Sequence, residues 1–251
     1  MTIRPAESAE HPGRPVPAEP VASRTLPVVG LALVGLGLVL ILLLHLLPPS
    51  DRVNPLTRTI SEYALGANGW MFNVAVVSLA LGSTALLTAL ARVGVVGSVS
   101  PASLLVGGWV AGLLVLVVFQ KYDYGRDAGI GAGGMIHRMA SLVAFLCLPA
   151  GALLLARAGR RNARWRRPAT LTRNAALLAV ACLGLLFYAV GQSFVTGVAW
   201  WRVFPLGAME RLIGLAEVSV LIAMGVWAIT ARGSAPADPV SDGGGRAPLV
   251  Q

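Results

Sequence analysis

Charged side chains are scarce in this sequence, where Asp, Glu, Lys and Arg together make up 12% of the 251 residues. That share is about half of what soluble globular domains carry. Hydrophobic residues reach 56%, and the mean hydropathy is +0.73. A chain with so little polar surface cannot coat a soluble fold of this size, so we predict that its solvent is lipid.

Cysteine and lysine are also nearly missing. Cys147 and Cys182 are the only cysteines, and both lie inside apolar runs, which argues against a disulfide framework. Neither zinc-type Cys/His spacing nor a His-Glu-x-x-His motif occurs, so no metal site is predicted and the cofactor stays unknown. Lys121 is the one lysine among 20 basic residues.

The basic balance of the chain needs a different explanation from nucleic-acid binding. The formal net charge is +9 and the pI is about 10.9. The basic residues are concentrated between apolar segments, however, where they control membrane topology. We therefore expect membrane lipid, and no nucleic acid, as the partner of this chain. Whether the chain forms a homo-oligomer stays open at this point.

Six apolar runs each have roughly the 20 residues needed to cross about 30 Å of hydrocarbon. They predict an all-α fold, a six-helix transmembrane bundle, with helices at about 26–47, 70–91, 102–120, 135–156, 171–195 and 206–230. The first run is too long for a signal peptide and no small-residue cleavage site follows it, so we interpret it as an uncleaved helix. Residues 1–25 and 231–251 are predicted to be disordered tails on either side of one membrane domain at 26–230.

Arginine indicates how the bundle is oriented. The loop Arg157–Arg173 between the fourth and fifth runs holds seven arginines. If both termini face the cytoplasm, 13 basic residues lie on that side and seven lie outside. The positive-inside rule therefore predicts that the N and C termini are cytoplasmic. The same loop also suits anionic lipid headgroups, although the topological explanation is favoured.

Varied polar chemistry gathers on the predicted outer side instead. Segments 48–69, 121–134 and 196–205, with the adjoining helix ends, hold acids, bases, a histidine and hydroxyls: Asp51, Arg52, Arg58, Ser61, Glu62, Lys121, Asp123, Arg126, Asp127, His137, Arg138, Arg202, Glu210 and Arg211. Ionisable groups at membrane depth are costly and usually have partners. We therefore predict a polar, outward-facing pocket.

Helical spacing places some of these groups on shared faces. His137 and Ser141 are four residues apart, and Glu210 and Glu217 are seven apart, with Glu217 about 10 Å deeper. An adjacent acid–base pair such as Glu210–Arg211 can also serve only to fix a helix end. Glu217 resists that explanation, because a carboxylate at this depth needs a proton, a cation or a polar cavity.

Three stretches resemble the motifs of one known family. They are Asn54–Gly66 with Gly69–Asn73, Asp123 with Ile136–Ser141, and Gly207–Leu212. The family is the six-helix prokaryotic membrane proteins named domain of unknown function 998. The resemblance covers about residues 26–230 and implies the fold and a multi-pass location in a prokaryotic plasma membrane, but no activity. The positions that match its motifs are Arg58, Ser61, Glu62, Asn73, Asp123, His137, Glu210 and Arg211.

Three functions stay open at this point. The first is binding of a lipid headgroup, a small polar ligand or an ion, with contacts from Arg58, Ser61, Asn73, Arg138, Ser141, Glu210, Arg211 and Glu217. The second is an enzyme at the membrane rim, a hydrolase or group transferase on lipid, in which His137 is the acid–base and Glu62 or Asp123 its partner. The third is a structural or assembly partner whose outer charges form only ion pairs.

Overall fold

The computed structural model describes residues 24–121, 131–198 and 204–231. Within these ranges there is no strand, and six long helices follow one another: α1 Thr25–Leu46, α2 Gly69–Arg92, α3 Pro101–Val118, α4 Ala132–Gly159, α5 Arg166–Thr196 and α6 Leu206–Thr230. Each is long and apolar enough to cross a membrane. The predicted all-α, six-helix transmembrane fold is confirmed. Most of both predicted tails lies outside the described residues.

The helix ends differ from the apolar runs mainly around the arginine-rich loop. Helix α4 extends from Ala132 to Gly159, and α5 begins at Arg166, five residues before its apolar run. Arginine is a good helix former, so the helices continue beyond the hydrocarbon where charge is tolerated. With 31 residues, α5 is about 46 Å long, which exceeds the hydrocarbon thickness.

Glycine allows neighbouring helices to approach closely. A Cβ on Gly30 of α1 would lie 2.8 Å from the Leu86 side chain of α2. A Cβ on Gly112 of α3 would lie 2.9 Å from the carbonyl oxygen of Ala140 in α4. Close backbone packing of this kind replaces the hydrophobic driving force that is missing between helices in lipid.

Helix α6 occupies the centre of the arrangement. Consecutive helices contact one another, α1 also contacts α6, and α6 makes further contacts with α2 and α4. More than half of the most apolar stretch of α6 is buried, against about a fifth for α1. Side chains on α6 are therefore the ones that meet residues from most other parts of the bundle.

The two ends of the bundle differ in structure. The loop end carries the α1–α2 connection, which contains two 3₁₀ helices, Ser50–Arg52 and Ile60–Leu65. The arginine end carries the α4–α5 connection, with a short 3₁₀ turn at Ala163–Trp165, and the start of α1. Most of the candidate site residues that the structure describes lie at the loop end.

Candidate functional site

The α1–α2 connection is ordered by its own side chains. The Asn54 side-chain oxygen accepts the Leu56 N–H at 2.9 Å, which is a turn typical of Asn. Five residues later the Thr59 N–H and hydroxyl both donate to Glu62 Oε1, at 3.3 and 3.1 Å. The Thr-x-x-Glu spacing of a capping box thus starts the second 3₁₀ helix. The loop therefore has a defined shape of its own.

This loop docks on the first turn of α6. The Ala208 N–H donates to the Leu56 carbonyl at 3.1 Å, and the Ile60 N–H donates to Glu210 Oε2 at 2.6 Å. Gly207 lies directly against the loop backbone. Because the two segments meet through backbone groups and one carboxylate, the loop is held at a fixed position above α6.

Arg211 joins α6 to two further elements. Its Nη1 donates to the Arg58 carbonyl at 2.8 Å, and its Nε donates to His45 Nε2 of α1, also at 2.8 Å. His45 Nδ1 donates to the Ile41 carbonyl at 2.7 Å, so Nε2 is the nitrogen that accepts. The guanidinium also lies 5.9 Å from the ring centre of buried Tyr63. One side chain thus ties α1, the loop and α6 together.

Lys121, just beyond α3, provides the charge at the centre of the loop end. Its Nζ donates to Glu62 Oε1 at 2.7 Å and also to the Thr59 hydroxyl. Arg58 Nη1 lies 3.3 Å from Glu62 Oε2, and the Arg58 side chain is 61% exposed. Burial raises the pKa of Glu62, but the Lys121 ammonium, the Thr59 N–H and Arg58 outweigh it and hold the pKa below 4.5. Glu62 is therefore an ionised carboxylate at neutral pH.

His137 lies on α4 beside this charge. Its side chain is buried, and its Nδ1 donates to the Phe119 carbonyl at the end of α3, at 2.8 Å. Lys121 acts electrostatically on His137, on Glu62 and on Glu210 of α6. We call Arg58, Glu62, Lys121, His137 and Glu210 the Lys121 cluster.

Four other predicted site residues do not belong to the Lys121 cluster. The Ser61 hydroxyl is 3.1 Å from the Thr59 hydroxyl, and the Ser141 hydroxyl donates to the carbonyl of His137 within α4. Arg138 is exposed. Asp123 lies outside the described residues.

Two predicted residues present buried oxygens that no described residue satisfies. Asn73 Oδ1 on α2 is one of them, and both carboxylate oxygens of Glu217 on α6 are the others. Glu217 is 1% exposed and lies about 10 Å below Glu210 along the helix axis. It is therefore separate from the cluster and is embedded in the bundle.

Sequence reasoning counted Lys121 among the outer polar groups but did not assign it to the site. Its signal was available, since it is the only lysine in a chain whose other basic residues are all arginine. Thr59 was missed as well, although its spacing to Glu62 matches a capping box. Both residues donate hydrogen bonds to the carboxylate of Glu62, which was a predicted site residue.

One comparison with known proteins gives a match. The sequence model of a family described as "Protein of unknown function (DUF998)" matches residues 28–231. No curated protein and no solved structure matches the chain. The matched range includes nearly all of the six helices and the whole Lys121 cluster.

Proposed function

The chain belongs to the DUF998 family, and we propose that its Lys121 cluster binds an anionic group at the outer face of the membrane. The anion is a phosphate on a lipid headgroup or on a small polar solute. The observation that carries the proposal is the contact of Lys121 Nζ with Glu62 Oε1 at 2.7 Å, beside the exposed guanidinium of Arg58. This arrangement presents positive charge at the rim while Glu62 fixes its position.

The donor inventory supports an anion rather than a cation. A lysine ammonium has three donors, and Glu62 and Thr59 accept two of them, so one remains for a ligand as far as the described residues are concerned. Among the described residues, the Arg58 guanidinium forms one ion pair, from Nη1 to Glu62 Oε2. A phosphate held by an arginine fork and an ammonium would gain charge-assisted hydrogen bonds. Glu210, by contrast, is already bonded to the loop backbone.

The ligand proposal is tested by thermal unfolding of the purified protein with glycerol phosphate as the probe. We expect the unfolding temperature to rise saturably with the probe, because a ligand that binds only the folded state stabilises it. Lys121→Gln should abolish the rise, measured against its own ligand-free value. Arg52→Gln removes an exposed arginine of the same loop and should keep it. No rise in the wild type, or an equal rise in Lys121→Gln, rejects the proposal.

The proposed orientation places both termini in the cytoplasm of a prokaryotic plasma membrane and the loop end outside. The seven arginines of the α4–α5 region support it. In intact cells a membrane-impermeant maleimide should label Thr57→Cys at the loop end and should not label Asn162→Cys at the arginine end. Both positions are exposed in the wild-type fold. The reverse labelling pattern contradicts this orientation.

A second candidate function, an enzyme acting on lipid, is favoured by the tautomer of His137. Because Nδ1 donates to the Phe119 carbonyl, Nε2 of the neutral ring carries the lone pair that a general base requires. Incubation with phospholipid vesicles, followed by mass spectrometry of released products, is the test. Release that is lost in His137→Gln and kept in Ser141→Ala supports the enzyme. No release by the wild type refutes it.

A structural or assembly role is the third candidate, and the bonds of Glu210 and Arg211 favour it. Both side chains bond to the α1–α2 loop. If the loop end serves assembly, native mass spectrometry should detect a homo-oligomer that dissociates in Arg211→Gln. A monomeric wild type argues against self-assembly.

A further inference from the structure

A cleft of about 470 Å³ opens at the arginine end of the bundle. It lies between the last turn of α4 and the first turn of α5, on the opposite side of the membrane from the Lys121 cluster. Its lining consists of four exposed arginines and one hydroxyl: Arg157, Arg160, Arg161, Arg166 and Thr170.

The positive charge of this cleft is not balanced within the described part of the chain. None of the four guanidinium groups forms a hydrogen bond or ion pair with another described residue, and the described residues at this end include no Asp or Glu. Two other arginines nearby do have partners, since Arg164 donates to the Ala231 carbonyl and Arg173 to Asn174. The four arginines of the cleft therefore have no acceptor among the described residues.

Topology alone does not account for this arrangement. The positive-inside rule depends on how many basic residues flank the helices, and it requires no concave grouping. In the cleft, however, guanidinium groups from both sides of one turn converge. Guanidinium groups bind phosphate through parallel N–H bonds in a fork. The positive end of the α5 helix dipole, at Arg166, lies at the same place.

Apolar surface accompanies the charge. A second cleft, of about 380 Å³, is lined by other residues of the same turn and by the end of α6. Trp165, Leu171 and Val226 supply its apolar walls, and Arg164 and Arg167 add charge. A tryptophan at such a boundary is typical of the membrane interface. Phosphate-binding charge next to apolar surface matches the two parts of a phospholipid.

We propose that the arginine end binds an anionic phospholipid, whose phosphate group occupies the cleft formed by Arg157, Arg160, Arg161 and Arg166. The phosphate takes guanidinium N–H bonds, and the lipid glycerol and upper chains lie against the apolar surface at the same depth. This site does not depend on the Lys121 cluster.

Native mass spectrometry tests the site on the full chain, purified in micelles that contain equal amounts of phosphatidylglycerol and phosphatidylcholine. We expect the wild type to retain phosphatidylglycerol in preference. Arg160→Gln with Arg161→Gln should lower that retention at least about tenfold, because charge-assisted bonds are lost. The control, Arg92→Gln with Arg173→Gln, removes the same charge at the same end outside the cleft and should change retention less than about threefold.

Several outcomes would overturn the proposal. Equal losses in the two double variants would indicate unspecific attraction to positive charge. Equal retention of the two lipids by the wild type would indicate no recognition of the anion. Displacement of the lipid by inorganic phosphate would assign the site to a soluble anion instead.

A further variant and a second measurement keep the test decisive. If the glutamine variant does not fold, Arg160→Lys with Arg161→Lys keeps the charge but removes the forks, and retention should still fall severalfold. Undiminished retention in this lysine variant rejects the guanidinium site. Arg160→Gln with Arg161→Gln should keep the rise in unfolding temperature with glycerol phosphate that Lys121→Gln abolishes, so that failure at one end of the bundle is distinguishable from failure at the other.

Discussion

Replacement of Gly207 with alanine tests the docking of the α1–α2 loop on α6. A Cβ at this position would lie 2.6 Å from the Pro55 carbonyl oxygen and would overlap the Arg58 carbonyl oxygen. Both obstacles are backbone atoms, which cannot rotate away as the end of a flexible side chain can. Alanine must therefore push the loop away from the first turn of α6.

The expected cost follows from the contacts at this interface. Overpacking of a well-packed contact costs about 1–3 kcal/mol. The displacement also strains three hydrogen bonds, those of Ala208, Glu210 and Arg211 to the loop. The loss of one or two of them adds about 1 kcal/mol each. We therefore expect Gly207→Ala to lower the free energy of unfolding by about 2–5 kcal/mol.

Thermal unfolding with a thiol-reactive fluorophore measures this effect, because buried Cys182 and half-buried Cys147 react fully only after unfolding. Gly214→Ala on the same helix is the matched control, since its nearest atom would be Ile60 Cδ1 at 3.9 Å. Alanine is the better helix former, so this control should unfold at or above the wild-type temperature. If Gly207→Ala unfolds at the wild-type temperature, the described loop packing is refuted.

Three further predictions concern single polar groups. The pKa of Glu62 in the folded protein is lowered, so its ion pair stabilises the protein above pH 4.5, and this contribution disappears as the pH falls through the lowered pKa. Glu62→Gln should therefore make the unfolding temperature less sensitive to pH below 4.5. An unchanged pH profile would contradict this. Glu217→Leu removes a buried carboxyl group that has no partner among the described residues. It should raise the free energy of unfolding by about 1–3 kcal/mol in the thiol assay. A decrease would indicate that a bound ion or proton relay stabilises Glu217. Ser83→Ala leaves the buried Trp109 N–H without its acceptor and should lower the free energy of unfolding by about 1–3 kcal/mol. Thr88→Ala on the exposed side of the same helix should lower it by less than about 0.5 kcal/mol. Equal effects would refute the interhelix bond.

The helix ends show what the local sequence pattern can and cannot predict. The apolar runs end where charge begins, so the sequence predicted Leu171 as the start of a helix that begins at Arg166. Charged residues beyond the hydrocarbon do not end a helix. The pattern of apolar residues therefore cannot predict where a helix ends once it has left the hydrocarbon. At the start of α3, by contrast, the Ser100 hydroxyl caps the Ser103 N–H directly before Pro101, and the predicted start at residue 102 lies within one residue of the observed one.

The site illustrates the opposite limit. The sequence predicted that Glu62, Glu210 and Arg211 lie on one side of the membrane, because loop length and topology restrict their positions. It did not predict that Glu62 pairs with Lys121, 59 residues later, or that Glu210 accepts the Ile60 N–H across 150 residues. Such pairs depend on the rotation and depth of each helix, which apolar runs leave undetermined.

By itself the sequence determined that this chain forms six membrane-crossing helices, because backbone groups in lipid must be satisfied within each segment and apolar length sets the number of crossings. It also determined where arginine accumulates and where mixed polar groups gather. Only the tertiary structure decided that Gly207 allows the loop to dock on α6, that Lys121 is the centre of the charges at the loop end, and that four arginines form one cleft. Those relations arise from close packing between segments distant in the chain, where ångström-scale positions decide which groups meet.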